Sequence, residues 1–206
     1  MKLYHHPFSS NARKAVMTAE LLGLDVELVL VDLPAGENQE PEYLARNPMG
    51  KVPTLEDGGL TLWESHAIMQ YMAEKKPGNT LYPAEVAARA DVNRWLFWMS
   101  AHWSPGIAML VNQNFLKQRM GRGEPDATNV ALGEGEVARY GEVLDDHLAT
   151  RDYLCGKALT LADVAVAAPL MYTVPGKLPV DEFANLQRWF ARIQELEVWK
   201  RTTPSM

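Results

Sequence analysis

The 206-residue chain carries a single cysteine, Cys155, and that scarcity excludes an intrachain disulfide, a CxxC redox pair and a thiolate metal cluster. A reducing, cytoplasmic setting is expected. No apolar run approaches the roughly 18 residues a membrane span needs, and Met1 to Tyr4 leads into histidines and a proline where an apolar leader would begin. A soluble protein with neither export signal nor membrane partner is expected. A block of lysine and arginine is missing too: the formal charge of −6 is spread along the chain, so nucleic acid is not an expected partner. His5 and His6 lack ligand partners at useful spacing, and no metal site is expected. There is no G-x-S-x-G elbow and no evident base–acid pair to activate a serine nucleophile. What remains is ordinary globular composition, 47% apolar and 22% charged, at a length that suits one or two domains.

Lys2 to Tyr4 reads as a short strand, after which Ala12, Ala15, Val16, Ala19 and Leu22 recur at helical spacing until Gly23. Val26 to Leu33, rich in valine and leucine, reads as a second strand buried on both faces and parallel to the first. A loop from Pro34 to Gln39, a short helix from Pro41 to Arg46 and the turn Asn47-Pro48-Met49-Gly50 follow. Lys51 to Leu55 and Leu60 to Trp63 form a hairpin across Asp57-Gly58-Gly59, and a helix runs from Ser65 to Lys76. The order βαβαββα is thioredoxin-like. Strand signals then vanish. Helices are expected over Ala87–Gln118, Ala127–Ala149, Leu161–Tyr172 and Leu186–Lys200, with Gly121 to Asp126 breaking the first from the second. The expected organisation is an α/β domain over 1–78, a linker over 79–88 and an all-α domain over 89–206. No internal repeat is visible.

Several stretches could carry chemistry. HHPFSSNARKAV places Ser9, Ser10 and Asn11 before the first helix, where one of them caps it. The positive potential of that helix start, with a hydroxyl donor, would also stabilise a thiolate or another anion. Pro53 sits in a strand-like run, although proline cannot donate to a ladder. Either a cis Val52–Pro53 bond turns the Val52 backbone outward to pair with an extended peptide, or a trans proline lies on an edge strand. Glu64-Ser65 falls where strand passes into helix: Ser65 can cap, with the helix N–H groups left to face a carboxylate and Glu64 to face an ammonium, or the pair is a plain cap. Thr160-Leu-Ala-Asp163 is a capping box that opens a mostly apolar helix. Gly133-Glu-Gly-Glu-Val-Ala138 matches a dinucleotide fingerprint as text, but no strand precedes it. His102-Trp103 can line a pocket or pack. Cys155 reads as a small buried residue.

These segments resemble the soluble glutathione transferases, among them the theta, phi, beta and related bacterial branches, over nearly the whole chain. The likeness rests on PFSSNARKAV, NPMGKVPTLEDGGLTLWESHAI, YLCGKALTLADVAVAAPL and NLQRWFARIQELEVWKRT. It implies a homodimeric enzyme that activates the thiol of bound glutathione, its co-substrate, for attack on a small electrophile. The alternatives on the same fold are a glutathione-dependent disulfide reductase, peroxidase or isomerase, and a non-catalytic interaction protein. The resemblance assigns a cis Val52–Pro53 bond, with the Val52 backbone pairing with the cysteinyl part of glutathione, and gives Glu64 and Ser65 the γ-glutamyl end. It also assigns the capping box of Thr160 and Asp163 a structural role. Ser9 matches the activating hydroxyl of theta- and phi-like members, Ser10 the cysteine of beta-like ones, and Asn11 an asparagine that touches sulfur in some relatives. Asn38-Gln39 stands where phi-like members place His-Lys for the glycine carboxylate, with Lys51 a substitute. Tyr4, Phe8, His102 and Trp103 are candidates for the acceptor pocket.

Overall fold

The computed structural model describes residues 1–204. The chain divides into two compact units, one formed by Met1–Pro83 with the segment from Leu196 onward, the other by Ala84–Glu195.

The first unit runs β1 (Lys2–His5), α1 (Ser10–Leu21), β2 (Glu27–Leu30), a 3₁₀ turn (Glu37–Gln39), α2 (Pro41–Arg46), β3 (Thr54–Asp57), β4 (Leu60–Trp63) and α3 (Ser65–Glu74). The sheet order is β2-β1-β3-β4. β1 and β2 are parallel, with His5 opposite Leu30, while β1–β3 and β3–β4 are antiparallel, with Thr54 opposite both Tyr4 and Trp63. Gly58 and Gly59, at φ +56° and +91°, supply the positive dihedrals that close the hairpin at low cost. Because side chains alternate along a strand, Leu3 faces one side of the sheet and Tyr4 the other. α1 packs on α3, and Leu3, Ala15, Met17, Leu55, Ile68, Met69 and Met72 are sealed from solvent. Tyr4 joins Val31, Tyr43 of α2 and Val52 in a second apolar cluster. Each buried side chain of this size contributes roughly 1.5–3 kcal/mol.

β2 differs from expectation. It spans only Glu27–Leu30 at the sheet edge, and Leu28 and Leu30 are 46% and 59% exposed, so it is not covered on both faces. β3 begins after Pro53, at Thr54, because the proline has no N–H to offer a ladder.

The second unit is all helix. α4 (Val86–Trp98) continues through a π turn (Met99–Trp103) into α5 (Ser104–Val111), then through a second π turn (Asn112–Leu116) into α6 (Lys117–Arg119). α7 (Ala127–Leu148) and α8 (Leu161–Ala167) follow, then a 3₁₀ turn (Ala168–Tyr172) and α9 (Ala184–Gln194). Glu85 caps α4 by accepting the Ala87 and Ala88 N–H groups, and Asp126 caps α7 by accepting that of Asn129. The glycine-rich string at 133–138 lies inside α7. A Cβ at Gly133 would sit 2.9 Å from the Leu110 side chain, so this glycine lets α5 and α7 approach and cradles no phosphate. Thr160 and Asp163 form the capping box of α8.

The helix expected over Leu186–Lys200 is two helices. α9 stops at Gln194, and α10 (Glu197–Thr202) belongs to the first unit, which corrects the assignment of every residue from 89 onward to the second domain. The physical reason is Arg13 of α1: its guanidinium lies 3.7 Å from the Trp199 ring centroid and donates to Trp199 O, Thr202 Oγ1 and Thr203 Oγ1. Among the described residues no helix is long and apolar enough to cross a membrane.

Candidate functional site

The strand register gathers the candidate residues of the first unit. Tyr4 and Trp63 both sit opposite Thr54, so the loop that leaves β1, the residues that enter β3 and those that leave β4 share one edge of the sheet. Ser9, Val52-Pro53 and Glu64-Ser65 are therefore neighbours by topology, and α1 and α3 both begin there.

Ser9 is the N-cap of α1, its Oγ accepting the Ala12 N–H at 3.2 Å. This contact uses the oxygen as an acceptor and leaves the hydroxyl proton free to donate. Ser10 opens the helix, and Asn11 is solvent-exposed. Phe8 is half-buried beside the His6 ring.

The Val52–Pro53 peptide is cis. Among the described residues, neither the N–H nor the C=O of Val52 has a hydrogen-bond partner, although its side chain is buried. The loop before it is held from behind. Buried Asn47 donates to Lys51 O at 2.7 Å and to Thr54 Oγ1 at 3.1 Å, and Tyr43 OH donates to Lys51 O at 2.8 Å. Sequence reasoning passed over Asn47 and Tyr43 as site residues; the Asn-Pro turn was their one visible signal. Asn38 and Gln39 both donate to Gly50 O, at 2.6 and 3.2 Å, which commits the two amides to shaping the loop. The Lys51 side chain stands in solvent.

Glu64 occupies the N-cap of α3 at φ +72°, ψ +112°, with no capping hydrogen bond from its side chain. Ser65 is thus the first helical residue and not the cap. A non-glycine residue held at positive φ costs about 1–3 kcal/mol and is tolerated mainly where it aims a group at a ligand. Ser65 Oγ has no partner among the described residues.

Behind this turn lies a pair that the sequence did not announce. Lys14 of α1 is 1% exposed, and its Nζ lies 3.2 Å from His66 Nε2. Burial pushes the Lys14 ammonium down to about 7, against the attraction of Glu64. Burial and the Lys14 charge push His66 down to about 2, so the imidazole stays neutral and accepts from Lys14. Only the run of two cations beside the apolar stripe of Ala12, Ala15, Val16 and Ala19 hinted at burial. The folded value of Lys14 lies below its unfolded value of 10.5, so the unfolded chain binds more protons above pH 7 and stability should rise with pH from 7 to 9. In urea titrations at pH 7, 8 and 9, Lys14→Met should remove about 1–2 kcal/mol of that rise; a slope equal to wild type would assign it to another group.

The remaining candidates separate. Tyr4 is buried in the first unit, its hydroxyl donating to Glu56 Oε2 at 2.9 Å and its ring edge-on to Tyr43. Trp103 is wholly buried in the second unit and donates to Val166 O at 3.2 Å, so here it packs in the core. His102 is exposed, its ring 5.0 Å from that of Tyr140. Cys155 is buried, and burial pushes its thiol up to about 12. Among the described residues no cluster of histidine, cysteine or carboxylate groups could hold a metal ion.

Residues 1–74 match the family model of the glutathione S-transferase N-terminal domain and residues 96–197 that of the C-terminal domain. Glutathione S-transferase 3 of Zea mays is 39% identical over 165 residues, 79% of this chain and 73% of the relative. The probable glutathione S-transferase GSTF2 of Oryza sativa subsp. japonica is 31% identical over 92% of this chain and 89% of its own. A crystal structure of a glutathione transferase from Populus trichocarpa superposes with a TM-score of 0.88 at 30% identity, covering 98% of this chain and 96% of that one. With an N-terminal unit of thioredoxin-like topology followed by an all-α unit, and with both domain models matched, this chain belongs to the soluble glutathione S-transferase family.

Proposed function

We propose that the sheet edge where α1 and α3 begin binds glutathione, lowers the pKa of its thiol and presents the thiolate to a small electrophile, so that the protein works as a glutathione transferase. The observation that carries this reading is the Val52 backbone, whose N–H and C=O have no hydrogen-bond partner among the described residues, beside two helix starts. An extended cysteinyl residue can add to that backbone as one more short strand. The γ-glutamyl end then falls to Ser65 Oγ and the first N–H groups of α3, which favour its carboxylate, with Glu64 for its ammonium. The amides of Asn38 and Gln39 already donate to Gly50 O, so the exposed Lys51 ammonium is the partner assigned to the glycine carboxylate.

A free thiol of pKa about 8.5 is only a few per cent ionised at neutral pH. Ser9, with its Oγ accepting from Ala12 N–H, has its own O–H to give to the glutathione sulfur and holds the thiolate form. Ser10 and Asn11, in the first turn of the same helix, are the alternative donors. The thiolate then forms a carbon–sulfur bond while the electrophile's leaving group, or its opened ring oxygen, takes the electron pair. Disulfide chemistry through a protein thiol is disfavoured, because Ser10 replaces the cysteine it would use and Cys155 is buried and protonated. The same reading makes the protein a cytosolic homodimer with no resident metal.

Glu64 and Ser65 serve binding in this scheme, since they meet the end of the tripeptide remote from sulfur. Glu64→Gln or Ser65→Ala should weaken glutathione binding by roughly five- to twenty-fold, with KM rising more than kcat falls. Calorimetry with glutathione on the full chain measures this directly, and unchanged affinity in both variants would remove the assignment.

A further inference from the structure

The loop from β1 to α1 reads His6-Pro7-Phe8-Ser9, and it ends on the serine assigned to the glutathione sulfur. Pro7 has no N–H to give. The other backbone N–H groups between His6 and α1 both end on His6: that of Ser9 donates to the His6 carbonyl at 2.9 Å, and that of Phe8 to His6 Nδ1 at 3.2 Å. The imidazole also lies beside the Phe8 ring, their centroids 5.6 Å apart. On its other side Ser9 is tied to α1, its Oγ accepting from Ala12 N–H at 3.2 Å and its carbonyl from Arg13 N–H at 2.8 Å. Ser9 is thus held between His6 and the first turn of the helix.

Nδ1 accepts an N–H only while it keeps its lone pair, so the proton of the neutral ring sits on Nε2. Burial keeps the half-buried His6 below the usual histidine range, against the attraction of Asp32, and the ring is neutral at pH 7. Neighbouring His5 is kept low by burial too, so it adds no charge there. The carbonyl bond from Ser9 would form with any residue at position 6. The bond to Nδ1 is different: it needs a side chain with an acceptor, and it fixes the peptide directly before Ser9. Without it the Phe8 N–H turns to water, and Ser9 shifts with the peptide. A catalytic hydrogen bond tolerates little of this, since a misplacement of about 1 Å can cost about a hundred-fold in rate.

We propose that His6 is a positioning residue for the transferase reaction: by accepting the Phe8 N–H, its imidazole aims Ser9 Oγ at the glutathione sulfur and helps to set the pKa of the bound thiol. The inference rests on the transferase reading with Ser9 as donor. His6 acts through Ser9 and not on the sulfur itself.

The test is the thiolate absorbance of the glutathione complex, titrated from pH 5 to 10 in the full-length wild type, His6→Leu, His6→Phe and His6→Asn. Leucine removes acceptor and ring, whereas phenylalanine keeps a ring beside Phe8 and removes the acceptor alone. Both should raise the bound-thiol pKa by about half a unit to one unit, a roughly three- to ten-fold loss of thiolate at pH 7, with kcat falling more than KM rises. Asparagine offers an Oδ1 that can accept the N–H two residues on, so His6→Asn should restore the wild-type titration. Only folded, liganded chains report a bound thiol, so a variant that is merely less stable gives a weaker signal at an unchanged pKa. A wild-type titration in His6→Leu or His6→Phe, or a shift as large in His6→Asn as in His6→Leu, would each overturn the proposal. A wild-type complex whose thiol titrates as free glutathione does would sink the transferase reading and this inference with it; a lowered wild-type pKa that survives His6→Leu removes the role of His6 alone.

Discussion

Asp163→Ala should destabilise the chain by about 3–5 kcal/mol, the largest stability loss expected of any single substitution considered for this fold. The carboxylate is 0% exposed and accepts four hydrogen bonds. Oδ1 takes the Leu154 N–H at 2.8 Å and the Trp189 Nε1–H at 3.0 Å; Oδ2 takes the Thr160 N–H at 2.9 Å and the Thr160 hydroxyl at 3.1 Å. One side chain thus joins the turn at Leu154, the start of α8 and the inner face of α9. Burial pushes its carboxyl above the usual carboxylate range, and these donors offset only part of that rise. Alanine would strand every donor in a place water does not reach, each costing about 1–3 kcal/mol, with partial relaxation setting the sum. Asp163→Asn keeps one acceptor oxygen but turns an amide N–H₂ toward donors, so a loss of about 2–3 kcal/mol is expected. Asp126, an exposed cap that accepts only the Asn129 N–H, is the control: alanine there should cost about 1 kcal/mol. Urea unfolding of the three variants checks the ranking. A loss below about 1 kcal/mol for Asp163→Ala would mean that the network rearranges around the gap.

The capping box was legible because its signal is local: the spacing of Thr160 and Asp163 defines it, and an apolar helix follows. The Asp-Gly-Gly hairpin was legible for the same reason. Where local pattern underdetermines tertiary placement, the reading failed. The apolar run from Val26 to Leu33 has the composition of a buried central strand, yet composition cannot tell a central strand from an edge strand, and Leu28 and Leu30 stand in solvent. No proline or glycine separates α9 from α10, so nothing in Gln194-Glu195-Leu196-Glu197 predicts that the chain leaves one unit for the other; that depends on Arg13, nearly two hundred residues away. The two π turns within 86–119 are equally silent, since no residue type marks where one extra residue enters a turn.

The candidate site divides along the same line. Val52, Pro53, Glu64 and Ser65 were visible because a proline in a strand-like run and a strand-to-helix junction are sequence-local oddities. The groups that hold those residues in place were not. Asn47 and Tyr43 support the loop through Lys51 O and Thr54 Oγ1, and Lys14 and His66 stand behind Glu64. Each acts through a contact between separate elements. Trp103 shows the converse: its neighbour His102 is exposed, and only three-dimensional packing decides that the indole is core and the imidazole surface.

Ser9→Ala should raise the pKa of bound glutathione by about one to two units and lower kcat/KM at pH 7 by roughly ten- to a hundred-fold. A hydrogen bond to a charged acceptor is worth about 1.5–3 kcal/mol, and nearly all of that favours the thiolate over the thiol. The variant also loses the cap on α1, because Ser9 Oγ accepts the Ala12 N–H at 3.2 Å; that loss should cost about 0.5–2 kcal/mol of stability. The two effects are separable. Ser9→Thr keeps both the cap and the donor and should restore the thiol pKa, whereas Ser9→Asp keeps the cap but sets a negative charge beside the sulfur and should raise that pKa at least as far as alanine does. Thiolate absorbance of the glutathione complex, followed from pH 5 to 10, reads the equilibrium without dependence on any electrophile. An unshifted titration in Ser9→Ala, together with a shifted one in Asn11→Ala or Ser10→Ala, would move the donor one or two residues along α1. The serine at position 9 would then be a helix cap alone.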